Sequence, residues 1–594
     1  MLRKTTMPFS SYENSVLLYN ASDKQWLFFH HPLRIYAVYD VESVVSTLRE
    51  IEHLVNVNHL HAAGFIAYET APAFDPALVV RSPEDFPLLW FGIYREPERI
   101  TFPLLSQEHF TPLSWNPSIS DEEYKTSFRR IKEYIQAGDT YQVNYSFRLM
   151  APFSDDPWEL FVHMIHAQGE GYGAFLNTER WAVCSASPEL FFTWMSEQLR
   201  SQPMKGTAAR GLWHADDLHQ ATWLVHSEKN RAENSMIVDM VRNDMGQIAD
   251  TATVEASSLY SLEKYPTLWQ MTSTITCKTR GGITDIFQAL FPAASITGAP
   301  KIRTMQIIAE LENTPRKIYT GTIGFLAPER KAQFNVAIRT VLVDRINRRA
   351  EYGVGGGIVW DSEMTDELQE CRTKTKILFQ PIPNFALVET ILWTPPQGYF
   401  LLDDHLSRLA DSADYFCRSL DIEIIREKLN SLARTLHSHP HRIRVVVPKD
   451  NPLLLETQRL LPLRQPYHIR LAEKPVNSRD TFLYHKTTYR RIYDEARADC
   501  PGFDDVLLWN EKQEITESCI ANLVVEIEGR LLTPPVCSGL LPGTYRSFLR
   551  KQGSITEEII TIQDLPRCSR LYLANSVRGM WEISLQRERI TSAP

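Results

Sequence analysis

Residues 202–211 read QPMKGTAARG, and the reading of this stretch decides what the rest of the chain is for. One lysine, Lys205, stands in an apolar setting between Met204 and Gly206, after the strand-like run Leu190, Phe191, Phe192 and Trp194 and a turn. A glycine beside a lysine lets backbone or ligand come close, and a lysine withdrawn from water has its pKa lowered toward the nucleophilic amine. Lys205 is therefore a candidate nucleophile. A solvated lysine on a surface turn would give the same ten letters, so the flanking sequence has to decide.

Outward from that stretch, 594 residues are too many for one core, and two to four domains are expected. The apolar fraction of 43% and charged fraction of 23% are those of a globular chain. The net charge of -9 is spread without a basic stripe, which argues against a nucleic-acid partner. The opening MLRKTTMPFSSYENS has no apolar run behind it, and no run of about 18 apolar residues occurs anywhere, so a cytoplasmic location with no membrane contact is expected. The eight cysteines are scattered, with neither a CxxC pair nor zinc spacing, as in a reducing compartment. His437, His439 and His441 read as an exposed loop.

Residues 1 to about 115 alternate short strand-like runs (16–19, 26–29, 35–38, 65–68, 88–93) with one amphipathic helix near 41–55, the first part of a mixed sheet carrying no visible chemistry. Residues 121–137 have helical spacing and stop at Gly138. DTYQVNYSFR (139–148) alternates as a strand, with Gln142, Asn144 and Ser146 on a polar face that either meets solvent or lines a cleft. Residues 181–194, containing SASPELFF, read as a hairpin. In SEKNRAENSMIVDMVRNDMG, Glu233 lies four residues before Ile237 and so on or beside the buried face of a helix. A carboxylate there needs a partner, and an ion pair with Arg231, Lys229 or Arg242 is favoured over a metal. Beyond the glycine run VGGGIV, a second helix puts Glu367 and Glu370 on one face. Two helices presenting carboxylates could hold Mg2+ through hard oxygen ligands, although Glu370 could equally pair with Lys374. Between them, SITGAPK (295–301) turns into a helix from about 302 to 311, and FNVAIRTVLV reads as a strand carrying Arg339. Helix-start N–H groups, a glycine loop and an arginine fork are the parts that hold a dicarboxylate.

Taken together, GDTYQVNYSFR, SASPELFF, PMKGT, RAENSMIVDMVRND, SITGAPKIRTM, YTGTIGF, AIRT and VGGGIVWDS resemble the chorismate-utilising enzyme family over roughly residues 120–380. The resemblance implies a two-layer α/β fold and a Mg2+-dependent attack on chorismate. Isochorismate and salicylate synthases carry a lysine where Gln142 stands and use it to activate water; Gln142 favours ammonia, which needs no base. Anthranilate synthases have alanine at position 205, whereas a lysine there resembles aminodeoxychorismate synthase component I. By that resemblance Lys205 attacks the ring, expels the 4-hydroxyl, and is displaced by ammonia at that carbon. Glu233 and Glu370 would then bind Mg2+ with Glu367 in support, and Tyr319, Arg339, Gly355, Gly357 and Ser295 would bind substrate. Gln270 departs from the histidine often found in the YPTLWQMTS segment, and an amide cannot be the general acid.

At LFQPIPNFALVET the pattern changes, with Pro381 and Pro383 as a boundary between a chorismate-binding domain (1–380) and a second domain (384–594). FALVETILW is strand-like, and DDHLSRLADSADYF is a helix with Arg408 beside its apolar stripe. Lys486, in YHKTTYR, is read as following a strand and starting a helix; Glu517 and Asn522 lie on the return of a hairpin; Gly543 and Thr544 open a helix; and Asn575 and Ser576 sit at a turn. Together these motifs resemble the fold-type IV enzymes of pyridoxal 5'-phosphate (PLP), the class of branched-chain and D-amino acid transaminases and aminodeoxychorismate lyase. By that resemblance Lys486 carries PLP, Glu517 contacts its ring nitrogen, and Arg408, Thr544 and Ser576 hold its phosphate. A lyase joined to the synthase would take 4-amino-4-deoxychorismate, with Lys486 removing the C4 proton, and release pyruvate and 4-aminobenzoate, the folate precursor. The expected partners are chorismate, ammonia from a separate glutamine amidotransferase subunit, and a second copy of the chain through the C-terminal domain. Two alternatives stay open: an anthranilate-type synthase joined to a transaminase, and a C-terminal half that binds PLP without turnover.

Overall fold

The computed structural model describes residues 9–102, 113–169, 171–379, 383–436, 438–449 and 452–586. The boundary residue Pro381 and the histidine His437 lie outside the described residues. The chain divides into two compact units, Met1–Arg210 with Gln220–Ile382, and Gly211–His219 with Pro383–Pro594.

The first unit is built on two ten-stranded sheets. One places Gln142–Pro152 beside Arg349–Val359, then Thr340–Asp344, Trp181–Ser187, Tyr172–Asn177 and Ser15–Asn20. The other runs Met204–Ala209, Leu268–Lys278, Gln198–Gln202, Leu190–Met195, Lys331–Val336, Thr322–Ala327 and His61–Ile66. Side chains alternate across each strand, so Val16, Leu18, Leu27 and Phe29 of the first sheet meet Ala63, Phe65, Trp90 and Phe325 of the second in one buried layer. The outward-facing residues of the first sheet, among them Leu17, Phe28 and Phe175, are covered by Leu160, Phe161 and Met164 of helix Pro157–Gln168. Helices Glu42–Asn58, Glu228–Gly246 and Ile283–Leu290 cover the second sheet. Each such fully buried leucine or phenylalanine contributes about 1.5–3 kcal/mol.

SASPELFF is not a hairpin. Trp181–Ser187 belongs to the first sheet and Leu190–Met195 to the second, so the segment is a crossover between layers. FNVAIRTVLV likewise splits into Lys331–Val336 and Thr340–Asp344 in different sheets, leaving Arg339 in the break at φ 49°. The two crossovers brace each other: Ser187 Oγ donates to Val336 O (2.6 Å), Val336 N to Glu189 O (3.0 Å) and Ala186 N to Arg339 O (3.1 Å). Alternating apolar letters read alike in a hairpin and in a crossover, and only these long-range bonds separate the two.

In the second unit a four-stranded sheet (Gly398–Tyr399, Leu387–Thr394, His441–Val447, Leu454–Arg459) packs Leu387, Ile391, Ile443 and Val445 against helices Leu402–Tyr415 and Ile422–Ala433. His441 therefore opens a strand rather than lying in a loop. A nine-stranded mixed sheet holds Asn522–Ile527, Ile515–Ser518, Asp505–Trp509 and His468–Leu471. The expected hairpin is three strands, with Glu517 ending the second and pairing with Asn522 at the start of the third. Lys486 neither follows a strand nor begins a helix. It lies in an extended segment tied to Leu387–Thr394 by Val388 N donating to Lys486 O (2.9 Å), and the next helix starts only at Arg491.

Candidate active sites

Lys205 sits in strand Met204–Ala209, not on a surface turn. Its pairing with Leu268–Lys278 slips between Met204 and Thr207, where Gly206 takes φ +101°. Such a bulge re-aims a side chain, and here it accompanies a lysine only 13% exposed, with Nζ 3.7 Å from Glu233 Oε2. Glu233 comes from helix Glu228–Gly246, which Asn234 fastens to the strand by donating to Lys205 O (3.2 Å) and accepting from Ser273 Oγ (2.6 Å). The favoured ion pairs of Glu233 with Arg231, Lys229 or Arg242 do not form: Arg242 pairs with Asp239 and Arg231 lies over the Tyr260 ring. Those are helix-local partners, whereas Lys205 arrives from another element.

The glycine run lies in Arg349–Val359, opposite Gln142–Pro152. A side chain at Gly357 would occupy the place of Lys205 Nζ, and one at Gly353 would collide with the Tyr319 ring. Tyr319 is buried, with the Arg148 guanidinium 5.0 Å from its ring centre. Helix Met364–Thr375 supplies Glu367, which accepts from Ser362 Oγ (2.7 Å), and Glu370, which pairs with Lys374 (2.7 Å). Burial and the neighbouring Glu370 push the Glu367 carboxyl up. Burial also acts on Glu370, but Lys374 and Lys205 outweigh it and hold that carboxyl low. Lys374 Nζ donates in addition to Gly355 O (2.8 Å).

These groups line one cavity of about 130 Å³, together with Asn144, Lys229, Gln270, Ser295, Arg339 and Glu189. Arg339 is buried, which pulls its pKa down, and its Nη1 donates to Gln168 Oε1 (2.5 Å). Glu189 is 3% exposed and accepts from Ser295 Oγ (2.6 Å); burial pushes its carboxyl up to about 7. The polar face of strand Gln142–Pro152 is buried, and Asn144 faces the cavity. Neither amide atom of Gln142 has a partner, and its side chain lies against the same Gly357 position as Lys205.

In the second unit, burial first and then Arg408 push the Lys486 amine down to about 8. Glu517 is buried and accepts from Tyr493 OH (2.8 Å), Asn522 Nδ2 (3.0 Å) and Leu541 N (3.1 Å). Burial nevertheless pushes its carboxyl up to about 7. Arg408 grips Glu389 through Nε and Nη2 (2.8 Å each) and Pro542 O through Nη1 (3.1 Å). Gly543 caps helix Thr544–Lys551, and Thr544 Oγ1 is 3.3 Å from His405 Nε2. Ser576, also buried, sits in the turn between Arg570–Asn575 and Gly579–Glu582, where Asn575 Oδ1 accepts from Val577 N and Arg578 N.

Residues 13–380 match the chorismate binding enzyme family, and residues 386–585 match the amino-transferase class IV family. This chain belongs to the chorismate binding enzymes. Among its relatives, aminodeoxychorismate synthase component 1 of Escherichia coli K12 is 38% identical over 279 residues, 46% of this chain and 61% of that protein. The same component of Bacillus subtilis is 35% identical over 259 residues, covering 43% and 55%. Anthranilate synthase component 1 1 of Haloarcula marismortui is 36% identical over 263 residues, covering 44% and 53%. The chain thus spans 53–61% of the length of these three relatives. Anthranilate synthase component I of Streptococcus pneumoniae has the same fold, with a TM-score of 0.51 at 22% identity over 64% of this chain and 94% of that one. The two-layer chorismate-binding fold followed by a class IV domain is therefore what the chain has.

In this chorismate binding enzyme, every residue expected from sequence at the first site (Lys205, Glu233, Glu367, Glu370, Ser295, Tyr319, Arg339, Gly355 and Gly357) lines the one cavity. Glu189 was not singled out, and Lys374 was expected only as the alternative partner of Glu370, which it is. Glu189 stood in plain view within SASPELFF, but a segment read as a hairpin gave no reason to expect a buried carboxyl. The carboxylates are hard donors of the kind Mg2+ takes. Glu233 and Glu370 each face a lysine, however, and among the described residues no group of three or more acidic, histidine or cysteine side chains is gathered closely enough to hold an ion. The donors suit Mg2+ in kind and place but are not closed around it. In the second unit Lys486, Glu517, Arg408 and Thr544 come from four separate segments, and their donor set suits a phosphorylated pyridine aldehyde.

Proposed function

We propose that the chain makes 4-aminobenzoate in two steps, with residues 1–380 aminating chorismate to 4-amino-4-deoxychorismate and residues 384–594 eliminating pyruvate from that product. The observation that carries this reading is Lys205, whose amine occupies the space left by Gly357 in the cavity that Glu233, Arg339 and Glu189 also line. Arg339, Tyr319, Ser295 and the Gly355–Gly357 backbone bind the substrate carboxylates, and Lys374 adds a second cation to the same wall. Lys205 forms a C–N bond to the ring as the C4–O bond breaks, and the hydroxyl leaves with a proton from Glu189 as water. Ammonia then forms the C4–N bond as the lysine–carbon bond breaks, and the displaced proton returns to the acid. Glu189 takes the role that Gln270 cannot fill. Mg2+, held by Glu233 and Glu370 with Glu367 in support, would add positive charge at the substrate carboxylates.

In the second unit PLP, when bound, supplies the electron sink for the elimination. Glu517 would contact its ring nitrogen, and Arg408, Thr544 and Ser576 would hold its phosphate. Lys486, as the free amine, removes the C4 proton, and loss of pyruvate leaves an aromatic ring. Ammonia comes from a separate glutamine amidotransferase subunit, as the names of the component 1 relatives support, and the C-terminal domain pairs with a second copy. Among the described residues no helix is long and apolar enough to cross a membrane, consistent with cytoplasmic work. Incubating the protein with chorismate, Mg2+ and ammonium tests the reading. The 4-amino isomer is expected with PLP added, whereas 2-aminobenzoate would assign the chain to anthranilate chemistry joined to a transaminase.

A further inference from the structure

Behind the residues placed around the PLP phosphate lies a buried ionic group with no assigned role. Glu389, 1% exposed on strand Leu387–Thr394, is gripped by two side chains three residues apart on one face of helix Leu402–Tyr415. Arg408 donates to both its oxygens, and His405, 0% exposed, lies with Nδ1 2.6 Å from Oε2. Both side chains also reach the turn that starts helix Thr544–Lys551: Arg408 Nη1 to Pro542 O, and His405 Nε2 to Thr544 Oγ1.

A proton inventory follows from these contacts. Arg408 has five N–H groups and spends three here, which leaves one on each Nη for a ligand. Glu389 is held far below the usual carboxylate range, burial being outweighed by Arg408 and His405, so it accepts and His405 Nδ1 carries a hydrogen. If Nε2 is bare, the only proton of Thr544 Oγ1 points back at the imidazole. A phosphate dianion offers acceptors only, so that hydroxyl would then face it with lone pairs. If Nε2 carries a hydrogen, Thr544 accepts from the imidazolium and its own O–H is free for the ligand.

Given the PLP reading above, we propose that His405 acts as a doubly protonated positioning residue, with Glu389 as its counter-ion, and that it turns the Thr544 hydroxyl into a phosphate donor. The charge count agrees. Arg408, Glu389 and an imidazolium together carry +1 toward a dianion, while a neutral imidazole leaves the group at zero. Of the groups around His405, Glu389 from the strand and Arg408 on its own helix are charged, and the Thr544 hydroxyl of helix Thr544–Lys551 is neutral; Arg408 and Glu389 also act on Lys486.

The test compares PLP with pyridoxal, which lacks the phosphate, by equilibrium dialysis of the full chain. Lys486 and Glu517 act on both ligands, so the ratio Kd(pyridoxal)/Kd(PLP) reads the phosphate cradle alone. Above pH 7 the ligand phosphate is already dianionic, its second pKa being about 6. At about pH 7.5 the ratio for H405Q should be about tenfold lower than for the native chain, while pyridoxal binds alike in both. E389Q, which removes the counter-ion, should lower the ratio as well. H405Q or E389Q keeping the native ratio overturns the inference. If the variants do not fold, nitrogen-15 NMR of the native chain decides: both ring nitrogens of His405 protonated with PLP bound is expected, and a bare Nε2 overturns it. Failure of the native chain to bind PLP at all would instead sink the cofactor reading.

Discussion

The two units each bury a lysine, and they treat it in opposite ways. Lys205 rests 3.7 Å from Glu233, in a cavity that Lys229 also lines and whose buried cations Arg339 and Lys374 are tied to Gln168 and Glu370. Lys486 has a cation, Arg408, as its strongest charged neighbour, and burial pushes it down to about 8. A lysine held by a carboxylate is aimed but must be released by the arriving substrate; a buried lysine beside an arginine gives up its proton more readily than an ordinary lysine. The first arrangement suits an amine that waits for one ring, and the second suits an amine that exchanges with a carbonyl and then moves a proton.

The sharpest way to break the comparison is to remove one lysine at a time. Lys205→Ala should cut chorismate consumption by about 10⁴-fold or more, the scale on which a missing nucleophile acts, with PLP binding unchanged. Lys486→Ala should leave chorismate consumption intact while 4-amino-4-deoxychorismate accumulates; equal 4-aminobenzoate output from this variant would remove the lyase assignment. Glu189→Gln should slow amination by about 10²–10⁴-fold. The acid form of Glu189 is the working one, so the native rate should fall as pH rises through about 7, and that limb should vanish in the variant. Gly357→Ala adds one methyl where Lys205 Nζ lies, and a displacement of about 1 Å costs about 10²-fold in the first step alone. The smallest effect is in labelling. At pH 7 about one Lys486 in ten is unprotonated, against about one in 3,000 for an ordinary lysine, so amine modification of Lys486 should have a midpoint near pH 8.

Much of this was legible in the sequence because it depends on short spacing. The helix Asp121–Gln136 was legible in its apolar spacing and in Gly138, at φ +79° beyond its end; the structure adds a capping box of Ser120 and Glu123 worth about 1 kcal/mol. Glu367 and Glu370 share a helix face by arithmetic alone. What escaped depends on contacts between distant segments. The crossovers at Ser187 and Arg339 carry strand-like letters throughout, and their division between two sheets rests on bonds spanning about 150 residues. Glu189 was hidden for that reason, and so was the true partner of Glu233, since helix-local cations are visible in sequence and a lysine from another strand is not. In the second unit Lys486 was expected after a strand and at the start of a helix, and the structure puts it at neither. Its extended segment is held by the first strand of that unit, about 100 residues earlier in the chain.

The most direct test of Lys205 as nucleophile is peptide mass spectrometry of the chain incubated with chorismate while ammonia is withheld. The account predicts an adduct of chorismate less one water on the peptide containing Lys205, which disappears when ammonium is added. Turnover to the 4-amino product with Lys205 unmodified throughout, or an adduct on another residue, would contradict it.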